Sequence, residues 1–420
     1  MTGWTRGGIF KAVPPALARF ELTGGRYPLI LLACISLTYL VENFLRSAAG
    51  ALTPVLIEEL SISHAAMGTL ISAYFFVYGV LQVPSGVLSD TLGARKTILS
   101  FTVLTLAGVF LFWASHSYPL LFAAQILIGV GCSTFYINAV KLISTWFPAE
   151  RRATAIGVLS AASGLGNTVS YLGFPLALDF LGGWRPLYLA MSLALVGSWL
   201  ANALVLRDRE EPQVSTHQNL ASNLAATARD RRLWPFLTGY VLSSLSWVFM
   251  NWMAKYLIDA KGFTYLEVGW VVSAGTLAGI PGCIAVAAIS DKLRRRKAPL
   301  IGFNILFALT LFALVYLPAS LGPGVFTALS FLMGLAGSFW VLYFSMIPET
   351  LPPVKASVGL GLVNGVGTVG FSLVTPIYGL LVDLTGGYLW SNLLVQLSTL
   401  LNPLIFHLYL EESYGQTPEE

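Results

Sequence analysis

Glu42 and Arg46 stand near the middle of the apolar run 28–56, Lys141 stands within 118–146, and Lys255 stands within 233–258. A charge at a bilayer centre costs roughly 2.5 to 3.5 kcal/mol even on lenient insertion scales, so such residues face a cavity, a partner or a ligand. Uncompensated, the three cations would cost on the order of 8 to 10 kcal/mol together. Against the single acid well inside a span they leave an excess of positive charge, which favours an anionic ligand. Arginine's planar fork suits bidentate recognition of carboxylate or phosphate, whereas lysine supplies a point charge. The bland reading of Arg46 is an ion pair within its own helix, because Glu42 lies one turn earlier in the better i, i+4 order. If a proton travels with the ligand, Glu42 is its candidate carrier; its plainer role is to hold Arg46 in place. Lys141 and Lys255 lie nearer helix ends and can snorkel outward.

Further polar or aromatic residues in mid-span are cavity candidates: Tyr39, Asn43, Tyr74, Tyr78, Asn138, Asn251, Trp252, Tyr343 and Asn364. As a group they suit a polar organic anion better than bare inorganic phosphate. Residues 365–370 spell G-x-G-x-x-G, but no strand precedes them and they lie within an apolar span, so a dinucleotide site is rejected. No Walker A motif, nucleophile constellation or metal-type cysteine spacing is visible, so no cofactor, metal, ATP or nucleic-acid chemistry is expected. Cys34, Cys132 and Cys283 all fall in apolar segments and read as packing residues.

The elements that must position these residues follow from composition. The 420 residues are 56% hydrophobic and 10% charged, against about 25% charged in soluble domains, which predicts an all-α integral membrane protein. Twelve apolar spans are expected, at 28–56, 65–88, 96–115, 118–146, 152–178, 185–206, 233–258, 265–289, 298–319, 323–346, 355–382 and 388–410. This divides the chain into an N-terminal segment 1–27, a six-helix bundle 28–206, a solvated linker 207–232, a second bundle 233–410 and a tail 411–420. The first span is too long for a signal-peptide core and is read as retained. Apart from Arg46, Lys141, Arg185, Lys255 and Lys261, the 24 Lys and Arg residues fall in segments that the alternation places on one side. Both termini are therefore expected in the cytoplasm.

An internal repeat relates the two halves. Ser89-Asp90-Thr91-Leu92-Gly93-Ala94-Arg95-Lys96 is answered by Ser290-Asp291-Lys292-Leu293-Arg294-Arg295-Arg296-Lys297. Asp179-Phe180-Leu181-Gly182-Gly183-Trp184 is answered, at nearly the same offset, by Asp383-Leu384-Thr385-Gly386-Gly387-Tyr388. An even number of spans between repeats predicts halves of like orientation. Gly361 and Gly365, with Gly157, Gly164 and Gly166, predict close helix packing.

The run Gly86-Val87-Leu88-Ser89-Asp90-Thr91-Leu92-Gly93-Ala94-Arg95-Lys96 resembles the loop signature G-x-L-x-D-x-x-G-x-R-K of the major facilitator superfamily. That resemblance implies two six-helix bundles rocking about a central site, with helices 1, 4 and 7 lining it. It also implies a gating role for Gly86, Asp90, Gly93, Arg95 and Lys96, for Arg151 and Arg152 as partners of Asp90, and for Asp291 in the repeat. Ala278-Gly279-Ile280-Pro281-Gly282 before Ser290-Asp291-Lys292, with Arg46 eight residues before Pro54, resembles the organophosphate:phosphate antiporters. Trp146-Phe147-Pro148 before Glu150-Arg151 resembles the anion:cation symporters. Phosphate-ester antiporters carry a second Arg six residues before Trp252; here that residue is Ser246, which argues against a phosphate monoester. The resemblance thus implies a monomeric secondary transporter in the cytoplasmic membrane. It would move a small organic anion, with protons as symported ion or by exchange for another anion. A transporter-like anion sensor is the rival of another class, and an intramembrane enzyme is disfavoured for lack of paired catalytic residues.

Overall fold

The computed structural model describes residues 26–208 and 220–415. The expectations for the remaining residues, including the basic N-terminal segment before Arg26, lie outside the described part. All regular structure among the described residues is helical. In chain order the α-helices are α1 (Tyr27–Ala51), α2 (Thr53–Leu60), α3 (His64–Val80), α4 (Gln82–Leu92), α5 (Ala94–Ala114), α6 (Tyr118–Cys132), α7 (Phe135–Trp146), α8 (Ala149–Leu181) and α9 (Arg185–Val205). They continue with α10 (Leu220–Ala228), α11 (Trp234–Lys261), α12 (Tyr265–Leu293), α13 (Lys297–Tyr316), α14 (Gly322–Gly337), α15 (Trp340–Thr350), α16 (Pro353–Thr385) and α17 (Leu389–Tyr409). Among the described residues, ten helical stretches are long and apolar enough to cross a membrane, and α3 is a shorter apolar helix. Absent from the ten is α8, in which Gly, Ser, Thr and Asn dilute the apolar residues.

Local chemistry explains the breaks. Pro54 follows the junction of α1 and α2, where it has no N–H to donate. The junctions α6/α7 and α14/α15 answer each other across the repeat, and at both a serine N–H bonds three residues back, Ser133 to Val130 and Ser338 to Leu335, each at 3.3 Å. The paired glycines of the repeat are left-handed helix caps, Gly182 with φ 69° and Gly386 with φ 66°, a conformation that glycine adopts without steric cost. Asp383 near the end of α16 meets the start of α3, so α1, which leads toward that turn, and α17, which leads away from it, place both ends of the described chain at the opposite end of the molecule, here called the terminal end, where the Tyr27 hydroxyl donates to the Val205 carbonyl and Lys297 Nζ to the His407 carbonyl. The turns at 61–63, 182–184, 262–264 and 386–388 lie at the distal end.

Before the linker α1 packs on α8 and α9, and α5 on α6 and α9; after it α12 packs on α14, and α11 on α16 and α17. Across the linker the contacts are chiefly α3 on α16 and α12 on α8. These two seams repeat one another. A Cβ on Gly68 would stand 2.7 Å from Pro376 Cα, and one on Gly269 would stand 3.0 Å from Pro175 Cγ, so each seam sets a glycine of one helix against an interior proline of its partner. In the linker, Asp230 accepts from Arg232 and from Lys355 Nζ at 2.9 Å, tying the start of α11 to that of α16. The Arg232 guanidinium, foremost, holds the Asp230 carboxyl below the usual aspartate range.

The predicted glycine packing is selective. A Cβ on Gly166 would run into the Leu40 carbonyl on α1 and stand 3.1 Å from Asn43 Cβ, one on Gly164 would stand 2.7 Å from Ile280 Cγ1, and Gly157 and Gly361 have open space. Gly166→Ala is expected to destabilise the protein by about 1 to 3 kcal/mol through overpacking, and Gly157→Ala by less than about 0.5 kcal/mol. Thermal unfolding of the two purified variants checks the contrast.

Candidate functional site

Helical spacing puts Tyr39, Glu42, Asn43 and Arg46 on one face of α1 and Tyr74 and Tyr78 on one face of α3. With Cys132 at the end of α6, they line one small cavity with about 10 Å³ of free volume. Glu42 is 2% exposed, and neither carboxylate oxygen has a hydrogen-bond partner. The intrahelical Glu42–Arg46 pair allowed by the spacing is therefore not made. The Arg46 guanidinium carbon instead sits 5.1 Å from the centroid of Phe75 and 5.6 Å from that of Tyr78. A desolvated cation over a ring face gains on the order of 2 kcal/mol, and two faces together hold Arg46 against α3. Among the described residues it makes no hydrogen bond or ion pair, so its donors remain available.

Asn43 braces the site. Its Nδ2 donates to the Tyr39 carbonyl at 2.8 Å, and its Oδ1 accepts from Ser163 on α8 at 2.7 Å, beside the Gly166 contact. Tyr39 is stacked between Phe135 and Tyr136 of α7. Next to this cavity, Asn364 of α16 donates to Gln82 Oε1 and accepts from the Tyr240 hydroxyl, both at 3.3 Å, joining α4, α16 and α11. Gln82 continues the stripe of Tyr74 and Tyr78 at four-residue spacing, a signal in the sequence that could have found it. Phe75 and Tyr240 carried no such signal.

The other candidates lie elsewhere. Asn138 is buried, with Nδ2 donating to the Thr134 carbonyl at the α6/α7 break. Lys141, farther along α7, is not among the cavity's lining residues. Asn251 lies beside Gly50, Trp252 Nε1 donates to the Thr375 carbonyl, and the Tyr343 hydroxyl is 2.9 Å from Ser243 Oγ. Lys255 forms an ion pair with Asp259 at 2.6 Å at the distal end. It is thus compensated there and contributes no free charge to the Arg46 cavity.

At the distal end Asp383 joins α16 to α3. Its carboxylate accepts from the backbone N–H groups of His64 and Ala65 at 3.0 and 2.8 Å, and lies 2.8 Å from His64 Nδ1. An acid on α16 thereby caps the first turn of α3, where an anion is favoured. Ser63 caps α3 as well, its Oγ accepting from the Ala66 N–H, and the equivalent turn of α12 is closed by a capping box of Thr264 and Glu267; α3 has Ala66 where α12 has Glu267. Asp179, the repeat counterpart of Asp383, is exposed. Asp383→Ala is expected to cost about 1 to 3 kcal/mol and Asp179→Ala less than about 0.5 kcal/mol, measured as thermal stability of the two variants side by side.

At the terminal end the described motif residues bond within their own half. Gly93 has φ 85°, and a Cβ there would stand 2.8 Å from Asp208 Oδ2, whose other oxygen accepts from the Arg95 N–H. Arg95 Nη2 donates to the Ala203 carbonyl, Arg152 Nε donates to the Phe147 carbonyl, and Lys96 and Arg151 are exposed. Asp291 pairs with Arg296 at 2.6 Å, and Arg296 with Glu349 at 2.9 Å. The side chains of Gly86 and Asp90 lie outside the described residues.

The family model described as Major Facilitator Superfamily matches residues 35–375. The probable galactarate/D-glucarate transporter of Bacillus subtilis (strain 168) is 25% identical, over 79% of this chain and 80% of its own length. The probable sulfoacetate transporter of Cupriavidus necator is 24% identical over 86% and 88%, and the quinolone resistance transporter of Acinetobacter baumannii is 25% identical over 92% and 95%.

Proposed function

Because the chain belongs to the Major Facilitator Superfamily, a multi-pass membrane protein family, we propose that it is a secondary active transporter moving a small organic anion of sugar-acid or carboxylate type. Transport runs across the cytoplasmic (inner) membrane by alternating access, with proton symport. The observation that carries this reading is the Arg46 guanidinium, held by two aromatic rings and left without an acid partner, in one cavity with a buried Glu42 carboxyl whose oxygens have no hydrogen bond. A cation so placed supplies the counter-charge for one anion. An ionised carboxyl so placed carries an uncompensated desolvation cost that a proton removes. The names of the sugar-acid and sulfoacetate relatives agree with an anion.

On this reading the twelve spans comprise the ten long apolar stretches together with α3/α4 and α8, in halves 28–206 and 233–410 joined by the linker 207–232. The terminal end faces the cytoplasm. The distal contacts of His64 with Asp383 then form the outer closure, and the terminal-end signature of Gly86 to Lys96 serves the opposite closure. Transport needs no cofactor and no second copy of the chain.

The test is uptake by purified protein in proteoliposomes, across a panel of sugar acids and carboxylates, with an inward proton gradient. Gradient-driven accumulation is expected. Uptake only when substrate is present on the other side would mean exchange, and binding without uptake would mean a sensor.

A further inference from the structure

We infer that the Arg46 cavity takes a substrate with a single carboxylate, a polyhydroxylated monoacid, in preference to a diacid. The inference rests on the anion-transport reading and sharpens its substrate class.

A diacid brings two negative charges into a site shielded from water, and each needs a counter-charge or a set of donors. Among the residues that line the cavity, Arg46 supplies the one permanent cation and Glu42 an acid. The other two intramembrane cations are placed elsewhere: Lys255 is 2.6 Å from Asp259 at the distal end, and Lys141 is not a lining residue. Ser246 of α11 is taken up in a buried knot of small hydroxyls and carries no charge. Ser246 Oγ is 3.1 Å from Ser398 Oγ and accepts from Thr399 Oγ1 at 3.0 Å.

What remains of the wall suits hydroxyl-bearing carbon. Tyr39, Tyr74 and Tyr78 combine ring faces with phenolic groups, and such side chains pair an apolar body with a polar tip. The Gln82–Asn364–Tyr240 bridge beside the cavity offers amide and phenol groups that carry no charge. One carboxylate on Arg46 and several hydroxyls on neutral groups satisfy this arrangement. A second carboxylate meets either Glu42 or a wall without a cation.

The test compares matched acids of equal carbon number on the full-length protein: D-galacturonate with galactarate, D-gluconate with D-glucarate, and butyrate with succinate. Binding is read by thermal shift and by competition for uptake in proteoliposomes. The tightest ligand in the panel is expected to be a monoacid, bound at least tenfold more tightly than its diacid partner, with that preference lost in Arg46→Ala along with binding. A diacid as tightest ligand, or equal affinity within the pairs, would overturn the monoacid inference and leave the anion reading standing. No binding by any member of the panel would overturn the anion reading itself, and the inference with it.

Discussion

Arg46→Ala is expected to abolish saturable anion binding and uptake, lowering kcat/KM by a hundredfold or more, while leaving thermal stability unchanged or raised. Removing one partner of a desolvated charge pair typically costs about 3 to 5 kcal/mol, and each ~1.4 kcal/mol is tenfold in affinity, so the loss spans roughly two to three and a half decades. Stability responds with the opposite sign, because Arg46 has no acid partner among the described residues. In the structure the guanidinium makes no ion pair among the described residues and is held by Phe75 and Tyr78, so truncation removes a cation that is costly to bury. Arg46→Lys keeps the charge but loses the fork and the ring stacking; an intermediate loss of about tenfold is expected. Isotherms for the best ligand, recorded with the melting temperature of each variant, check the pattern. Unchanged affinity in the alanine variant would remove Arg46 from the site.

Glu42→Gln is expected to end proton-driven accumulation while sparing counterflow exchange. Glutamine matches the neutral carboxyl in shape, so the substrate can still bind and the halves can still exchange, but no proton is carried. Both Glu42 oxygens are buried without partners, so the substitution also removes an uncompensated ionisable group, and stability is expected to hold or rise. Accumulation against a concentration gradient, measured with and without an imposed proton gradient, separates the outcomes. Accumulation equal to wild type would exclude Glu42 as carrier, leaving it the role of shaping the cavity.

Much of this architecture was legible before any coordinates, because its signals are local. Apolar runs read as helices, since their length and hydropathy are properties of consecutive residues. The repeat was legible too, and its Gly-Gly pairs turn out to be left-handed caps. Close packing was legible as a tendency but not by position, because spacing cannot say which glycine meets a neighbour: Gly166 meets Leu40, whereas Gly157 meets nothing. Lys255 shows a similar limit. Its partner Asp259 stands one turn later in the sequence, yet only the placement of the helix end shows the two charges cancelling at the distal cleft.

The sequence by itself determined on which helices the mid-span charges lie and that Glu42 and Arg46 share a helix face. Their relationship was decided by tertiary structure. The i, i+4 spacing favours an ion pair, but α3 brings Phe75 and Tyr78 against the same guanidinium, and cation–π contact with two rings leaves the acid and the base unjoined in one cavity. Likewise Asp179 and Asp383 share a motif, yet Asp383 crosses to cap α3 whereas Asp179 is exposed. Local spacing sets which groups can meet; competition from residues distant in sequence sets which of them do.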